Sequence, residues 1–297
     1  MNFDPIESCI LLGYRGSIAH NLYLPPDEPM GTDDVDTMGV CIAPLDCYFG
    51  LEKFEQVEIK PTQDDNTDQV IYDLRKFVRL LTNSNPNVLS FLWNKHDMYT
   101  KITGLGAVLL ANRNLFATKA AYKAFAGYAS AQLRKMDKGA PQGYMGSKRK
   151  RIVEEYGYDT KNASHCIRLL KMCIEFMATG EFNVWRAHDR DELLGIKQGK
   201  WTLEEIRAYA EDLFSQAKIA RDNSTLPDVV DRDAVNDLLV RIYKEHFRIG
   251  QIQTIGPWCG PPVLGADKYK RYACGTTPEE FNKLYLNQVP EDPDSDD

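Results

Sequence analysis

The stretches ILLGYRGS, residues 10–17, and DVDTMGVCI, residues 34–42, decide the fold predicted for this chain. The first is typical of a β-strand that runs into a tight turn at Gly16 and Ser17. Such a turn lets backbone amides approach a phosphate at a helix N-terminus. In the second stretch two aspartates are separated by one residue, so they project from one face of a strand. Together the stretches predict a sheet that carries a metal and nucleotide site.

Asp34 and Asp36 are the first candidates for metal ligands. On one face of a strand they lie about 6.6 Å apart along the chain, so they can hold one or two Mg²⁺ (or Mn²⁺) ions, which prefer oxygen ligands. A third carboxylate from a neighbouring strand completes such a site. Asp68, at the start of a predicted strand, is our first choice, and Asp73, one residue past its end, is the second. The alternative is a turn whose acids are only solvated.

The first part of the chain has a mixed pattern. Strands are predicted over residues 9–14, 38–43 and 69–72, which are short apolar or β-branched runs bounded by turn residues. Helical spacing of apolar residues follows over 73–82, and a further helix is predicted to begin with Pro86 at its first position. This part is therefore predicted to combine a small mixed sheet with helices.

From about residue 115 the strand signal fades and helical periodicity takes over. The predicted helices are residues 115–136, 160–179, 202–220 and 234–247. Thr202 and Glu205 match a capping box, and Gly180 stands where a helix is expected to end. Residues 139–150, rich in Gly, Pro and basic side chains, are predicted to form a loop.

These patterns predict an α+β protein with three parts. A sheet-and-helix domain is expected over residues 1–112 and a helical domain over 113–250. Residues 251–297 contain several Gly and Pro residues and end in an acidic run, so a loop-rich tail with a disordered end is expected.

The composition predicts a globular chain without a uniformly cationic surface. Its 36 basic and 43 acidic residues give a net charge of −7 over 297 residues, so any nucleic-acid contact must come from a local patch. No apolar run reaches the roughly 18 residues of a membrane span, and the first residues lack the basic flank of a signal peptide. We expect a soluble, cytoplasmic protein with no membrane partner.

The cysteines predict reduced core thiols. Their number is odd, most lie in apolar contexts, and none form a CxxC pair, which argues against a disulfide framework or a structural zinc site. They are residues 9, 41, 47, 166, 173, 259 and 274.

The motifs resemble those of the nucleotidyltransferases of the DNA polymerase β superfamily. The similarity rests on GYRGSIAHNL, residues 13–22, and on the DVDxxGV pattern of residues 34–40. Other segments resemble, more narrowly, the predicted nucleotidyltransferase family proposed to act in RNA repair, which is also common in phage genomes. They are YDLRKF at 72–77, NPNVL at 85–89, GYMG at 143–146 and GYDTKNASH at 157–165.

The resemblance implies a fold and a set of site residues. The fold is a polymerase β-like sheet-and-helix catalytic domain followed by an all-helical domain. In that superfamily the Gly-Ser pair contacts the nucleotide's phosphates, and three strand carboxylates bind metal. The pair corresponds to Gly16 and Ser17, and the catalytic, metal-binding acids correspond to Asp34, Asp36 and Asp68.

The helix predicted from residue 160 has two different faces. Apolar side chains cluster on one face, whereas Lys161, His165 and Arg168 line the other, behind a cap at Asp159. A triphosphate across the domain cleft would meet three cationic donors there. The alternative is an ordinary solvated face. Because the family motif spans these positions, we favour contact with the NTP.

The run SKRKR, residues 147–151, is the strongest basic patch of the chain. Its side chains are candidates for RNA binding because lysine and arginine follow a phosphate backbone. The alternatives are a solvated loop and neutralisation of the nucleotide's own phosphates. The candidate RNA-binding residues are Lys148, Arg149, Lys150 and Arg151.

Three classes of function are compatible with these observations. The first is a metal-dependent nucleotidyltransferase that moves a nucleotidyl group from an NTP to a hydroxyl acceptor, in particular an RNA end. The second modifies a protein or a small molecule by the same chemistry. The third is a non-catalytic nucleic-acid-binding protein on the same fold, which the retention of two mutually repelling acids, Asp34 and Asp36, argues against.

Overall fold

Five strands form one mixed sheet in the order β3-β4-β2-β1-β5. The computed structural model describes residues 3–26, 31, 35–62, 66–137 and 147–249, without the side chains of residues 137, 147–149 and 151. The central strands β2 and β4 run parallel, and the other neighbouring pairs run antiparallel. The strands are β1 (Cys9–Tyr14), β2 (Val35–Cys41), β3 (Gln56–Ile59), β4 (Thr67–Asp73) and β5 (Tyr99–Ile102).

Helices surround this sheet and then replace it along the chain, so the predicted α+β class is confirmed. Those before residue 112 are α1 (Gly16–Ala19), α2 (Asp46–Phe49), α3 (Leu74–Thr82), α4 (Pro86–Leu92) and α5 (Gly104–Ala111). Short 3-10 turns occupy His96–Met98 and Arg113–Phe116. The later helices are α6 (Ala120–Asp137), α7 (Ser147–Tyr156), α8 (Thr160–Thr179), α9 (Arg190–Lys197), α10 (Leu203–Asp222) and α11 (Arg232–His246).

The helix ends follow from side chains that the sequence places there. Asn85 accepts hydrogen bonds from two backbone amides at the start of α4, whose first residue is Pro86. Thr202 and Glu205 form the predicted capping box of α10. Gly180 ends α8 with a φ of 75°, a conformation that costs glycine little. These predicted helix boundaries are confirmed.

Two predictions about local structure were incomplete or wrong. Residues 147–150 belong to α7, so the loop predicted over 139–150 does not extend through them; residues 138–146 lie outside the described part of the chain. Lysine and arginine are good helix formers, and no glycine or proline interrupts Ser147–Tyr156. Strands β3 and β5 were not predicted, because QVEI and YTKI are short, mixed in polarity and lie at sheet edges.

The core lies between the central strands and the helices. Leu11, Val40 and Ile71, one from each of β1, β2 and β4, are fully buried. Helix α8 packs against both α6 and α10, and the ring of its Phe176 stacks on Phe182 with centroids 3.8 Å apart. The long helix α8 is therefore a central element of the helical part.

The chain divides into two compact units, residues 1–243 and 244–297. The sheet and the helices up to α10 belong to the first unit, and only residues 244–249 of the second are described. The predicted domain boundaries at residues 112 and 250 stay predictions. Within the described residues no helix is long and apolar enough to cross a bilayer.

The cysteines of the described chain are buried thiols that form no disulfide with one another, as predicted for them. They are Cys9, Cys41, Cys47, Cys166 and Cys173. Burial raises the pKa of the Cys166 and Cys173 thiols to about 12, so both are protonated, unreactive core residues at neutral pH. Cys259 and Cys274 lie outside the described residues.

Candidate nucleotide and metal site

The turn between β1 and α1 brings backbone close to a carboxylate. Gly16 has a φ of +64°, a left-handed conformation that glycine adopts at little cost. A Cβ atom at this position would lie 2.5 Å from Oδ2 of Asp36. Glycine is therefore required here both for the turn and for the close approach of Asp36, with Ser17 following at the start of α1.

Asp36 and Asp68 lie side by side on the parallel strands β2 and β4, where they are direct register partners. Both side chains are about one-third exposed, at 33% and 28%. One terminal nitrogen of Arg15, Nη2, lies 3.3 Å from Oδ1 of Asp36 and 3.7 Å from Oδ1 of Asp68. The sheet thus brings together two of the three acids predicted to bind metal; Asp34 lies outside the described residues.

The chemistry of this acid pair fits a divalent cation. Carboxylate oxygens with access to water are the ligands that Mg²⁺ and Mn²⁺ prefer, since these ions retain several waters. Within the described part of the chain no group of three or more Asp, Glu, His or Cys side chains is arranged to hold a metal ion. Asp36 and Asp68 would therefore hold a metal together with a ligand from elsewhere, for which Asp34 stays the prediction.

Asp73, the second choice for the third acid, serves the fold. It is buried, its Oδ2 accepts a hydrogen bond of 2.9 Å from the backbone amide of Arg75 at the start of α3, and the hydroxyl of Tyr48 donates to its Oδ1. Burial raises its pKa, against the effect of these hydrogen bonds. It lies five residues beyond Asp68, about 16 Å along the strand. This geometry favours Asp68 over Asp73.

A cleft of about 240 Å³ joins the turn to the helices. Gly16, Ser17 and Asp36 contribute to one wall, and the predicted residues of α8 contribute to the other. The other lining residues are Arg15, Ala19, His20, Leu22, Asn87, Ser90, Phe91, Asn94, Tyr128, Ser164, Val184 and Lys197.

The predicted stripe of α8 runs from the mouth of the cleft into the protein. Lys161 is exposed, His165 is half-buried against the ring of Tyr128 with centroids 5.2 Å apart, and Arg168 is only 9% exposed. Because α8 is covered on nearly all sides, Arg168 does not lie on a solvated face, the alternative left open for this stripe. The three side chains share a cleft wall instead.

Arg168 is a buried cation whose hydrogen-bond partners are neutral. Its Nη1 donates to Nε2 of His20 and lies 3.5 Å from Sδ of Met172. No carboxylate of the described residues forms an ion pair with it. Burial lowers the pKa of Arg168 to about 9, and the positive charge of Arg186 adds to the shift. A buried charge without a counterion is costly, so this position favours an anionic ligand.

His20, which follows the turn, is the hydrogen-bond acceptor for Arg168. Its Nδ1 donates to the carbonyl oxygen of Val184 at 2.9 Å, which leaves Nε2 to accept from Arg168. Burial, together with the charge on Arg168, keeps the pKa of His20 well below its ordinary value. His20 is therefore neutral. It supports Arg168 within the cleft wall.

The backbone after α1 is tied to the helices. The carbonyl oxygen of Asn21 accepts from Nε of Arg190 at 2.9 Å, and that of Leu22 accepts from Nζ of Lys197 at 2.9 Å. Both cations belong to α9. The turn that carries Gly16 and Ser17 is thereby positioned relative to the other wall of the cleft.

The basic run predicted to bind RNA lies in the first turns of α7. Lys150 is exposed, and the side chains of Lys148, Arg149 and Arg151 lie outside the described part of the structure. Of the four residues only Lys150 has a described side chain, and it does not line the cleft. Their RNA-binding role stays a prediction.

Sequence reasoning missed two cleft residues, Arg15 and Asn94. Arg15 was passed over although it directly precedes the glycine–serine turn, and the hydrogen bond from Arg168 to His20 joins residues 148 positions apart. Asn94, whose amide donates to the carbonyl oxygen of Tyr14 at 2.7 Å, gave no local signal. The position of Arg15 next to the turn is the one sequence feature that pointed to any of them.

Comparison with known proteins identifies the family. The sequence model of RlaP, the RNA repair pathway DNA polymerase beta family, matches residues 19–241. The match begins after Gly16 and Ser17 and includes the predicted acids and the α8 stripe. No curated protein matches the chain. Among solved structures, a nucleotidyltransferase-like protein from Exiguobacterium sibiricum 255-15 aligns at 11% identity and a TM-score of 0.29, over 81% of this chain and 85% of that one. The family match spans most of the sequence, and this chain belongs to the RNA repair pathway DNA polymerase beta family.

Proposed function

We propose that this protein is a metal-dependent nucleotidyltransferase that transfers a nucleotidyl group from an NTP to a hydroxyl acceptor, and that the acceptor is an RNA end. One observation carries the proposal. A single cleft combines Arg168, a buried cation without a carboxylate partner among the described residues, with Gly16, Ser17 and Asp36. Phosphoryl transfer depends mainly on positioning and charge stabilisation, which is what these groups supply.

The two walls of the cleft have separate roles in this proposal. Amides of the turn at Gly16 and Ser17 bind phosphate oxygens of the NTP, and Lys161, His165 and Arg168 bind its phosphates from α8. Arg168 contributes most, because it is already desolvated and its planar fork matches phosphate.

The acidic pair is the metal-binding part of this proposal. Asp36 and Asp68, with Asp34 as the predicted third ligand, would hold Mg²⁺ or Mn²⁺. When bound, such an ion neutralises phosphate oxygens and activates the attacking hydroxyl. The protein side of this arrangement is the parallel register of β2 and β4, which fixes the two described carboxylates beside each other.

RNA as the acceptor is supported by two observations. The family is described by its place in an RNA repair pathway, and the chain concentrates basic residues at 147–151 despite its net charge of −7. Lysine and arginine at the start of α7 can follow a phosphate backbone. A protein or small-molecule acceptor would leave this basic run without a role in transfer.

The transfer reaction is tested with each NTP labelled at its α-phosphate, Mg²⁺ or Mn²⁺, and either pooled tRNA or total protein as acceptor. Asp36→Asn and Asp68→Asn should each lower label transfer by orders of magnitude, because a lost ligand displaces the metal from the reacting oxygens. Glu58→Gln is the matched control, since Glu58 is an exposed acid on the neighbouring strand β3. Activity of the aspartate variants equal to that of the control would overturn the metal assignment.

The acceptor is tested by replacing all four basic residues of α7, Lys148, Arg149, Lys150 and Arg151, with Gln. RNA binding should weaken, and the slope of log K against log salt should flatten by about 0.7 for each single-strand phosphate that the variant no longer binds. NTP binding should be unchanged. The control removes the same charge at four exposed sites outside the run: Lys123, Lys200, Lys218 and Arg241. Label on protein rather than RNA, or equal RNA transfer by both quadruple variants, would reject RNA as the acceptor.

A further inference from the structure

We propose that Arg15 exchanges partners during the reaction cycle. In the metal-free protein its guanidinium neutralises Asp36 and Asp68, and when a divalent cation takes these carboxylates, Arg15 turns to the phosphates of the nucleotide. This inference rests on the proposed function, because it assigns Arg15 a place between the metal ligands and the NTP of that same cleft.

The backbone and the inner part of the side chain of Arg15 are anchored to β2. Its amide donates to the carbonyl oxygen of Asp36 at 2.9 Å, and its Nε donates to the carbonyl oxygen of Thr37 at 3.2 Å. These two bonds direct the side chain along the strand toward the acids. The terminal nitrogen Nη2 contacts Asp36 and Asp68, at 3.3 and 3.7 Å.

Asp36 and Asp68 need a neighbouring positive charge even when no metal is bound. Register partners on neighbouring strands are about 4.8 Å apart, so the carboxylates of Asp36 and Asp68 repel each other. A guanidinium that touches both relieves this repulsion. Lys60 also contacts Asp68, with Nζ 3.4 Å from Oδ2, but its side chain is 65% exposed. Arg15 therefore substitutes for the charge of a metal ion in the resting site.

The ion pairs of Arg15 are weak enough to exchange. All three side chains are partly solvated, with exposures of 27% for Arg15, 33% for Asp36 and 28% for Asp68, and solvated ion pairs contribute little. A divalent cation has twice the charge and approaches carboxylate oxygens more closely. It therefore displaces the guanidinium from the acids.

The displaced guanidinium remains at the phosphate end of the cleft. Arg15 directly precedes Gly16 and Ser17 and lines the same cleft as Arg168. Its bond from Nε to Thr37 does not involve the acids, so this anchor survives the exchange. The terminal nitrogens are then available for phosphate oxygens, to which arginine binds as a planar fork.

The experiment measures two affinities of Arg15→Gln against wild type. Mn²⁺ binding without nucleotide is followed by loss of the free-ion electron paramagnetic resonance signal, and binding of a non-hydrolysable ATP analogue in saturating Mn²⁺ is followed by calorimetry. The variant should bind Mn²⁺ about tenfold more tightly, because a competing cation is gone. It should bind the analogue about tenfold more weakly, because a charged phosphate ligand is gone. A merely structural role for Arg15 would weaken both.

Two further variants make the outcomes distinguishable. Lys60→Gln removes the exposed cation beside Asp68. Because Lys60 does not line the cleft, analogue binding should be unchanged in this variant. Asp36→Asn should lose Mn²⁺ binding if the proposed metal site is correct. If it does, while Arg15→Gln binds Mn²⁺ no more tightly than wild type, only the exchange is overturned. If Asp36→Asn binds Mn²⁺ like wild type, the metal site itself is wrong.

Discussion

Two buried arginines near α8 have opposite surroundings. Arg186 is fully buried and donates through its terminal nitrogens to Glu175 at 2.6 and 2.8 Å, and through Nε and Nη2 to Asp189 at 3.0 and 2.5 Å. Arg168 is nearly as buried, but its partners are the neutral side chains of His20 and Met172. The difference separates a cation that the protein neutralises itself from one that has no carboxylate partner among the described residues.

The pKa directions agree with this comparison. Burial lowers the pKa of both guanidiniums, but hydrogen bonds and charges from Glu175 and Asp189 outweigh burial at Arg186 and raise its pKa. At Arg168 burial and the charge of Arg186 outweigh the opposing effects of Tyr128 and Asp189, and the pKa falls to about 9. Since an uncompensated buried charge destabilises the folded state, Arg168 is retained for something other than stability. The phosphate binding proposed above would supply that reason.

The largest expected effect is on stability. Arg186→Met leaves the carboxylates of Glu175 and Asp189 without their counterion, and we expect the free energy of unfolding to fall by about 3–5 kcal/mol. Arg168→Met removes a charge that is not compensated, so its free energy of unfolding should change by less than about 1 kcal/mol. Urea denaturation of both variants measures the difference. Equal decreases would remove the distinction between the two arginines.

The next effect concerns ligand binding. Arg168→Met should raise the Kd for inorganic triphosphate by about 10- to 100-fold, the range expected when hydrogen bonds from a charged donor are removed. Calorimetry measures this Kd. Arg113→Met is the control, because Arg113 pairs with Glu181 outside the cleft. An unchanged Kd in Arg168→Met would assign this arginine to the fold alone.

A smaller effect tests His20. This neutral side chain is the partner of Arg168, whereas the partners of Arg186 are carboxylates. Burial, with the charges of Arg168, His165 and Arg186, keeps the pKa of His20 well below 6.5. Below about pH 6.5 His20 binds a proton in the unfolded chain but not in the folded chain. The free energy of unfolding therefore decreases as the pH falls below about 6.5.

The urea midpoint should therefore fall more between pH 7.5 and pH 5.5 for wild type than for His20→Asn. His188→Gln is the control, because His188 is 54% exposed. The same loss of stability on acidification in wild type and His20→Asn would show that His20 does not contribute to it.

The smallest effect is expected at the cleft mouth. Lys161 is exposed, so Lys161→Gln should raise the Kd for triphosphate only about two- to fivefold. This increase should disappear at about 1 M salt, where the Debye length is about 3 Å. The effect of Arg168→Met should persist in the same salt. Equal sensitivity to salt would indicate that both side chains act from solvent.

The three inner strands and most of the long helices could be predicted because their signals are local. The apolar runs at residues 9–14 and 69–72 and the periodicity of residues 160–179 each contain their own pattern, and the observed elements include them. Asp68 was chosen because it begins a predicted strand, but its place opposite Asp36 depends on the pairing of β2 with β4. Strand pairing is a non-local property that one sequence does not contain.

The sequence also could not distinguish the two arginines. Arg168 was assigned to the polar side of its helix, but its burial depends on tertiary contacts such as that with His20, 148 positions away. The loop predicted through residue 150 failed for a different reason. Composition favoured a turn, whereas the helix propensity of Lys148–Arg151 prevailed.

The ties between the turn and the helices determine when the site can form during synthesis. The bonds from His20 to Val184, from Arg190 to Asn21 and from Lys197 to Leu22 join residues 164, 169 and 175 positions apart. At about 5–20 residues per second, a ribosome needs roughly 9–35 s to reach the later partners after the turn has been made. A nascent chain released before residue 197 therefore contains the glycine–serine turn and the acids, but lacks the groups that hold them against the second wall.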